Sequence, residues 1–189
     1  MAPISALLLS LAQLGCQPIS AEKGRITVAS AGKISSLDPA QASTVNTIQL
    51  LSALGDPLYS LDGRGELIPR LAAAPPIVSP DGLTVTIPLR RDVLFHDGTR
   101  FDAEAMAFSL RRFLEIGSLS YVVGGRISSV EVAAVDRLVL RLSRPSTSLD
   151  GLLTSVNLTP VSPTAYSQHR DGFLHHRFVG TGPYRLSDF

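Results

Sequence analysis

His96, Asp97 and Gly98 stand side by side, a trio whose side chains could move a proton or hold a metal ion. A tight turn explains the same residues with less. Asp97 can accept hydrogen bonds from local backbone, Gly98 can take a positive φ, and Asp102 follows at the right distance to start a helix. His169, His175 and His176 make a second candidate ligand set. Adjacent histidines on a strand point to opposite faces, however, so these read as exposed loop residues. Gly180-Thr181-Gly182 has the glycine content of a phosphate loop. It lacks the Gly-Lys-Ser/Thr ending, and Pro183 removes a donor, so a structural turn is expected. Serines are plentiful, yet none sits in a Gly-x-Ser-x-Gly elbow, and a hydrolase has no positive support. The residues thus name no catalytic group, no metal site and no cofactor.

The elements that must position these residues follow from pattern. Arg25–Ser30 alternates and is rich in β-branched residues, which predicts a strand. Val45, Ile48, Leu51 and Leu54 recur at helical spacing, with Gly55 as the stop. Asp62-Gly63 and Asp81-Gly82 mark turns, the second leading into an alternating strand from Thr84 to Leu89. Pro88 in that strand predicts an edge or a bulge. The clearest helix starts at Asp102 and carries Met106, Leu110, Phe113 and Leu114 on one face. Arg111 and Arg112 lie near its C-terminal end, and Gly117 stops it. Ser129–Val135 and Leu138–Leu142 form a hairpin around Asp136-Arg137. A short helix spans Ser148–Ser155, Ser162-Pro163 opens another, and the chain from Gly180 turns tightly into a strand. Antiparallel turns mixed with helices point to an α/β or α+β domain.

Apolar residues are 44% and charged residues 17% of the 189, enough for a packed core. Net charge is +1 without blocks of either sign, and Trp is absent. No basic stripe or stacking platform for nucleic acid is therefore present. The apolar run from Ile4 to Leu14 is too short to span a bilayer, which takes about 20 residues, and resembles the apolar region of an export signal. Cys16, the single cysteine, follows it after Gly15, in the manner of the lipid-modified cysteine of bacterial lipoproteins. A polar linker from Gln17 to Gly24 comes next.

Four stretches, in order, resemble the bacterial extracellular solute-binding proteins of family 5, the peptide/nickel type of ABC importers. They are Leu37-Asp38-Pro39-Ala40; Asp56-Pro57-Leu58-Tyr59 through Leu71-Ala72; Leu89-Arg90 through Phe95-His96-Asp97-Gly98-Thr99 with the following helix to Arg111-Arg112; and Gly180-Thr181-Gly182-Pro183-Tyr184. Two departures are local: Ala73-Ala74-Pro75-Pro76 replaces the family's usual Trp, and Ala105 replaces an Asp at the helix start.

The resemblance implies an α/β fold with a mixed sheet, a periplasmic-binding-protein-like lobe carrying a small α+β subdomain, with the second lobe missing. It divides the chain into a signal (1–16), a linker (17–24), a first-lobe segment (25–58), the subdomain and its connections (59–175) and a return to the first lobe (176–189). It implies a binding protein that captures peptides or another small polar solute outside the inner membrane. The permease and ATPase would be separate chains, and the only membrane contact a lipid on Cys16. By carry-over, Ser43, Thr44, Val45 and Asn46 border the pocket, while capping by Ser43 or Thr44 explains the same residues without ligand. Thr181 and Tyr184 either line the cleft or serve only the turn. Half a cleft buries too little of a solute for strong binding, so these residues alone are expected to bind weakly or not at all. An interaction or sensor module built on the same fold is the alternative.

Overall fold

The computed structural model describes residues 24–32, 34, 36–168 and 177–187. The chain divides into two compact units, residues 1–31 and 32–189. In the first, the predicted strand over Arg25–Ser30 is absent, and Ile26 and Val28 are largely exposed. Alternation supplies a face but no ladder, and a strand exists only where another strand accepts its hydrogen bonds.

The second unit opens with Leu37-Asp38, a single 3-10 turn over Pro39–Gln41, and helix α1 (Val45–Leu54). Thr44 caps α1 by accepting from Thr47 N, and Gly55 N closes its end on Leu51 O at 2.9 Å. The buried face is Thr47, Leu51 and Leu54; Val45, which shares their helical spacing, is 67% exposed. Strands β1 (Tyr59–Leu61) and β2 (Leu67–Pro69) form a hairpin whose turn is held by the Asp62 carboxylate, which accepts from the backbone N of Arg64 and Glu66.

A four-stranded sheet follows, built from β3 (Ile77–Val78), β4 (Thr84–Pro88), β5 (Ile127–Ala134) and β6 (Arg137–Leu142) in the order β3-β4-β6-β5. Among the described residues every strand pair is antiparallel. Pro88 stands in a central strand, against expectation, in a place where its missing N–H is not called on, and its carbonyl accepts from Ala73 N at 2.8 Å. Leu89 N donates to Asp136 O, which turns Pro88's nitrogen to the other side of β4, where β3 has already ended opposite Thr86.

Helix α2 (Ala103–Ile116) lies across this sheet. Asp102 caps it by accepting from Ala105 N at 2.9 Å. Met106, Leu110 and Phe113 are fully buried against Val85, Ile87, Leu138 and Leu140, each worth about 1.5–3 kcal/mol by area. A π-type turn over Ser120–Gly124 connects α2 to β5. Helices α3 (Leu149–Leu153) and α4 (Pro163–Gln168) complete the unit, with Ser162 Oγ accepting from Ala165 N as the cap of α4. A second apolar cluster joins Leu37, Ala42, Leu51, Leu54, Val161 and Phe178. Residues 184–187 form no strand, because Tyr184 N donates to the helical carbonyl of Ala53 instead.

Candidate functional site

The loop that leads into α1 is a short turn with little cohesion of its own, and side chains from elsewhere hold it. Asp38 Oδ1 accepts from Ala40 N at 3.0 Å, and the same carboxylate takes both terminal nitrogens of Arg112, one at 2.6 Å. Both side chains are buried, Asp38 to 5% exposure and Arg112 to 11%. The guanidinium also lies 4.7 Å from the centre of the Tyr166 ring. Burial works against the Arg112 charge, but its hydrogen bonds to Asp38 and Tyr166 outweigh it and raise its pKa. From the other side, buried Asn157 donates its amide hydrogens to Pro39 O at 2.9 Å and Ala42 O at 2.8 Å. Ser118 N adds a bond to Ala40 O.

Immediately after this turn come four of the residues singled out from sequence. Ser43, Thr44 and Val45 are exposed and Asn46 is half-buried. Thr44 Oγ1 accepts from Thr47 N and donates to Thr47 Oγ1, so its capping role is real. Asn46 lies over Gly32, where a Cβ would fall 1.8 Å from Asn46 Nδ2.

The other two sit at the opposite end of α1, about 15 Å away along a ten-residue helix. There the glycine-rich strap closes the helix. Gly182 N donates to Leu54 O at 3.0 Å and Tyr184 N to Ala53 O at 3.3 Å, satisfying terminal carbonyls. Both glycines are contact residues: a Cβ on Gly180 would meet Leu54 O at 2.6 Å, and one on Gly182 would meet Leu54 C at 2.5 Å. His96 fastens the strap from below, its N donating to Gly180 O at 2.9 Å and its Nε2 to Gly182 O at 2.8 Å. A carbonyl only accepts, so Nε2 carries the hydrogen.

Asp97 turns the other way. It accepts from Thr99 N, Thr99 Oγ1 and Ser162 Oγ, while Gly98 adopts φ 83°. Desolvation pushes the Asp97 carboxyl up, but these donors prevail and hold it below the usual carboxylate range. His96 and Asp97 therefore make a turn and a fastening, each engaged with different neighbours. His169, His175, His176 and Cys16 lie outside the described residues.

Thr181 Oγ1 accepts from Asp56 N at 3.3 Å and borders an open pocket of about 390 Å³. Asp56, Arg70, Arg90 and Asp92 line it as two ion pairs, Arg70–Asp56 at 3.3 Å and Arg90–Asp92 at 2.7 Å. The structure thus sets Ser43–Asn46 and Thr181/Tyr184 in two places. Arg112 and Asn157, which shape the first of these, were hidden in the sequence: the arginine reads there only as a cation near a helix end, and nothing marks the asparagine.

The family model of bacterial extracellular solute-binding proteins, family 5 Middle, matches residues 66–189. The glutathione-binding protein GsiB of Salmonella choleraesuis (strain SC-B67) is 29% identical over 163 residues, covering 85% of this chain and 31% of that protein. OppA of Listeria monocytogenes, solved bound to peptide, shares the fold with a TM-score of 0.78 at 20% identity, over 85% of this chain and 35% of its own. NikZ of Campylobacter jejuni, solved in complex with Ni(L-His), gives 0.72 at 25% identity, over 84% and 32%. The chain spans about a third of the length of the relatives it matches.

Proposed function

The chain belongs to the bacterial extracellular solute-binding proteins of family 5, and from that membership we propose that it serves as solute-binding component of an ABC importer. Its solute is a peptide or a similar small polar molecule, taken up outside the cytoplasmic membrane. The observation that carries this reading is the family match over residues 66–189, together with relatives named for glutathione, peptide and a nickel–histidine complex. The function is binding without a chemical step. In support, the side chains best suited to chemistry are engaged elsewhere: His96 fastens the strap, and the Ser162 hydroxyl donates to Asp97 while capping α4.

Solute is held at Ser43–Asn46, where exposed hydroxyls and an amide can bond a peptide backbone. It acts by binding a closed arrangement of the importer's binding component better than an open one, and a permease and ATPase on separate chains respond to that closure. Export directed by residues 4–14 and a lipid on Cys16 belong to the same proposal; a Cys16→Ala variant would then leave the membrane fraction for the soluble one.

Amide chemical shifts of the chain, followed during titration with glutathione and with trialanine, test the reading. We expect saturable shifts confined to residues near Ser43–Asn46 for at least one of the two. Titration to millimolar concentrations without a shift at any amide sinks it.

A further inference from the structure

We propose that Asn157 and Arg112 are positioning residues: they clamp the 38–42 turn and thereby set the backbone and side chains of Ser43–Asn46. The inference rests on the solute-binding reading above for its purpose, and on geometry for its substance.

A three-residue 3-10 turn is too short to hold itself, since fixing its dihedrals gains one or two weak hydrogen bonds. Its own bonds are Gln41 N to Asp38 O and Ala42 N to Pro39 O, at 3.0 and 3.2 Å. Two local side-chain bonds are added, Ala40 N to Asp38 Oδ1 and Asp38 N to Ser36 Oγ; the remaining grips arrive from distant parts of the chain. Arg112 grips the entry at Asp38 with a two-pronged, buried ion pair, and Asn157 grips the exit at Pro39 O and Ala42 O. Asn157 is itself 6% exposed, and the Ser155 hydroxyl, which accepts from its N, starts the turn that presents it.

The consequence falls on the next residues. Ala42 O is fixed by Asn157, and Thr44 is fixed as the cap of α1, so Ser43 is a one-residue bridge between two anchored points. Neither clamp residue reaches the exposed surface on which a solute would lie. They act by removing freedom before binding, so that less ordering is left to be done when solute arrives. Arg112 suits the entry because its planar fork matches a carboxylate, which a lysine ammonium cannot reproduce.

The experiment uses the full chain and two variants, Asn157→Ala and Arg112→Lys, with Val85→Ala as a control that loosens the distant sheet core. Backbone amide order parameters report on Ser43–Asn46, and glutathione affinity is measured where each variant is fully folded by circular dichroism. We expect order to fall at Ser43–Asn46 in both clamp variants and not in the control. Affinity should drop about tenfold in Asn157→Ala and less in Arg112→Lys, while Val85→Ala leaves it unchanged. Unchanged order at Ser43–Asn46 in both clamp variants overturns the inference whether or not glutathione binds. Equal affinity losses in Asn157→Ala and Val85→Ala overturn it too, because they reduce the clamp to general stability. A selective fall in order without glutathione or trialanine binding by the parent chain upholds the clamp and removes the solute-binding reading instead.

Discussion

A double-mutant cycle on Asp38 and Arg112 puts the centre of this structure to the test. Met in place of Arg112 leaves a carboxylate that is 5% exposed, with Ala40 N at 3.0 Å as its remaining backbone donor. An uncompensated buried charge of this kind costs about 3–5 kcal/mol. Asn in place of Asp38 is milder. It keeps an oxygen for Ala40 N and for the guanidinium, and the Tyr166 face still attracts the cation, so about 2–3 kcal/mol is expected. With both changes the stranded charges vanish together, Met fills the apolar space, and about 1–2 kcal/mol remains for the lost hydrogen bonds. The singles therefore exceed the double by roughly 3 kcal/mol or more. Urea unfolding with a constant slope measures all four proteins, and raising the salt concentration should hardly change the coupling, since a pair this buried is weakly screened. Additivity within about 0.5 kcal/mol would refute the reasoning, because it would mean that the two side chains do not depend on each other.

Gly182→Ala should destabilise by about 1–3 kcal/mol, read as a lower thermal midpoint, because its Cβ would meet Leu54 C at 2.5 Å and force open the strap's bond to Leu54 O. Gly63→Ala, whose Cβ would meet nothing within 4 Å, should stay within about 0.5 kcal/mol of the parent. Asp97, whose pKa is lowered on folding, contributes stability above its unfolded value near about 4, and that contribution disappears as pH falls through its folded pKa. Asp97→Asn should consequently melt below the parent at neutral pH, and the two should converge in acid; a gap that persists in acid would show that the ionised form is not what matters.

Elements whose signals are local were legible in the sequence, and elements that depend on a partner were not. Helix α2 carries its own cap at Asp102, its own stop at Gly117 and a face spaced for burial, and it forms between those marks. The hairpin of β5 and β6 likewise carries its turn within it. Arg25–Ser30 shows as good an alternation as β4, but β4 has β3 and β6 beside it, while residues 25–30 pair with no strand among the described residues. Val45 shows a related limit of pattern. Helical spacing alone puts it with Leu51 and Leu54, yet it occupies the first turn, where the chain has not yet met the core, and Thr47 takes the buried place. For the candidate site, exposure and capping at Ser43 and Thr44 could be anticipated. The clamp could not, because its bonds join positions 74, 115 and 118 apart in the chain.

That distance is also why an ordered set of short motifs carries so much weight. Asp38 and Arg112 of α2 are two halves of one ion pair, and His96 and the Gly180–Gly182 strap are two halves of one fastening. A substitution in either half disturbs both, so the motifs hold together as a set because they hold the fold together. Most of their residues are buried or bonded to one another. Residue type is least constrained by the fold at exposed positions such as Ser43 and Val45, to which the proposed solute contacts are assigned. Class and fold accordingly travel with the motifs, whereas the solute can change from one relative to the next, as the names glutathione, peptide and nickel–histidine among similar proteins illustrate.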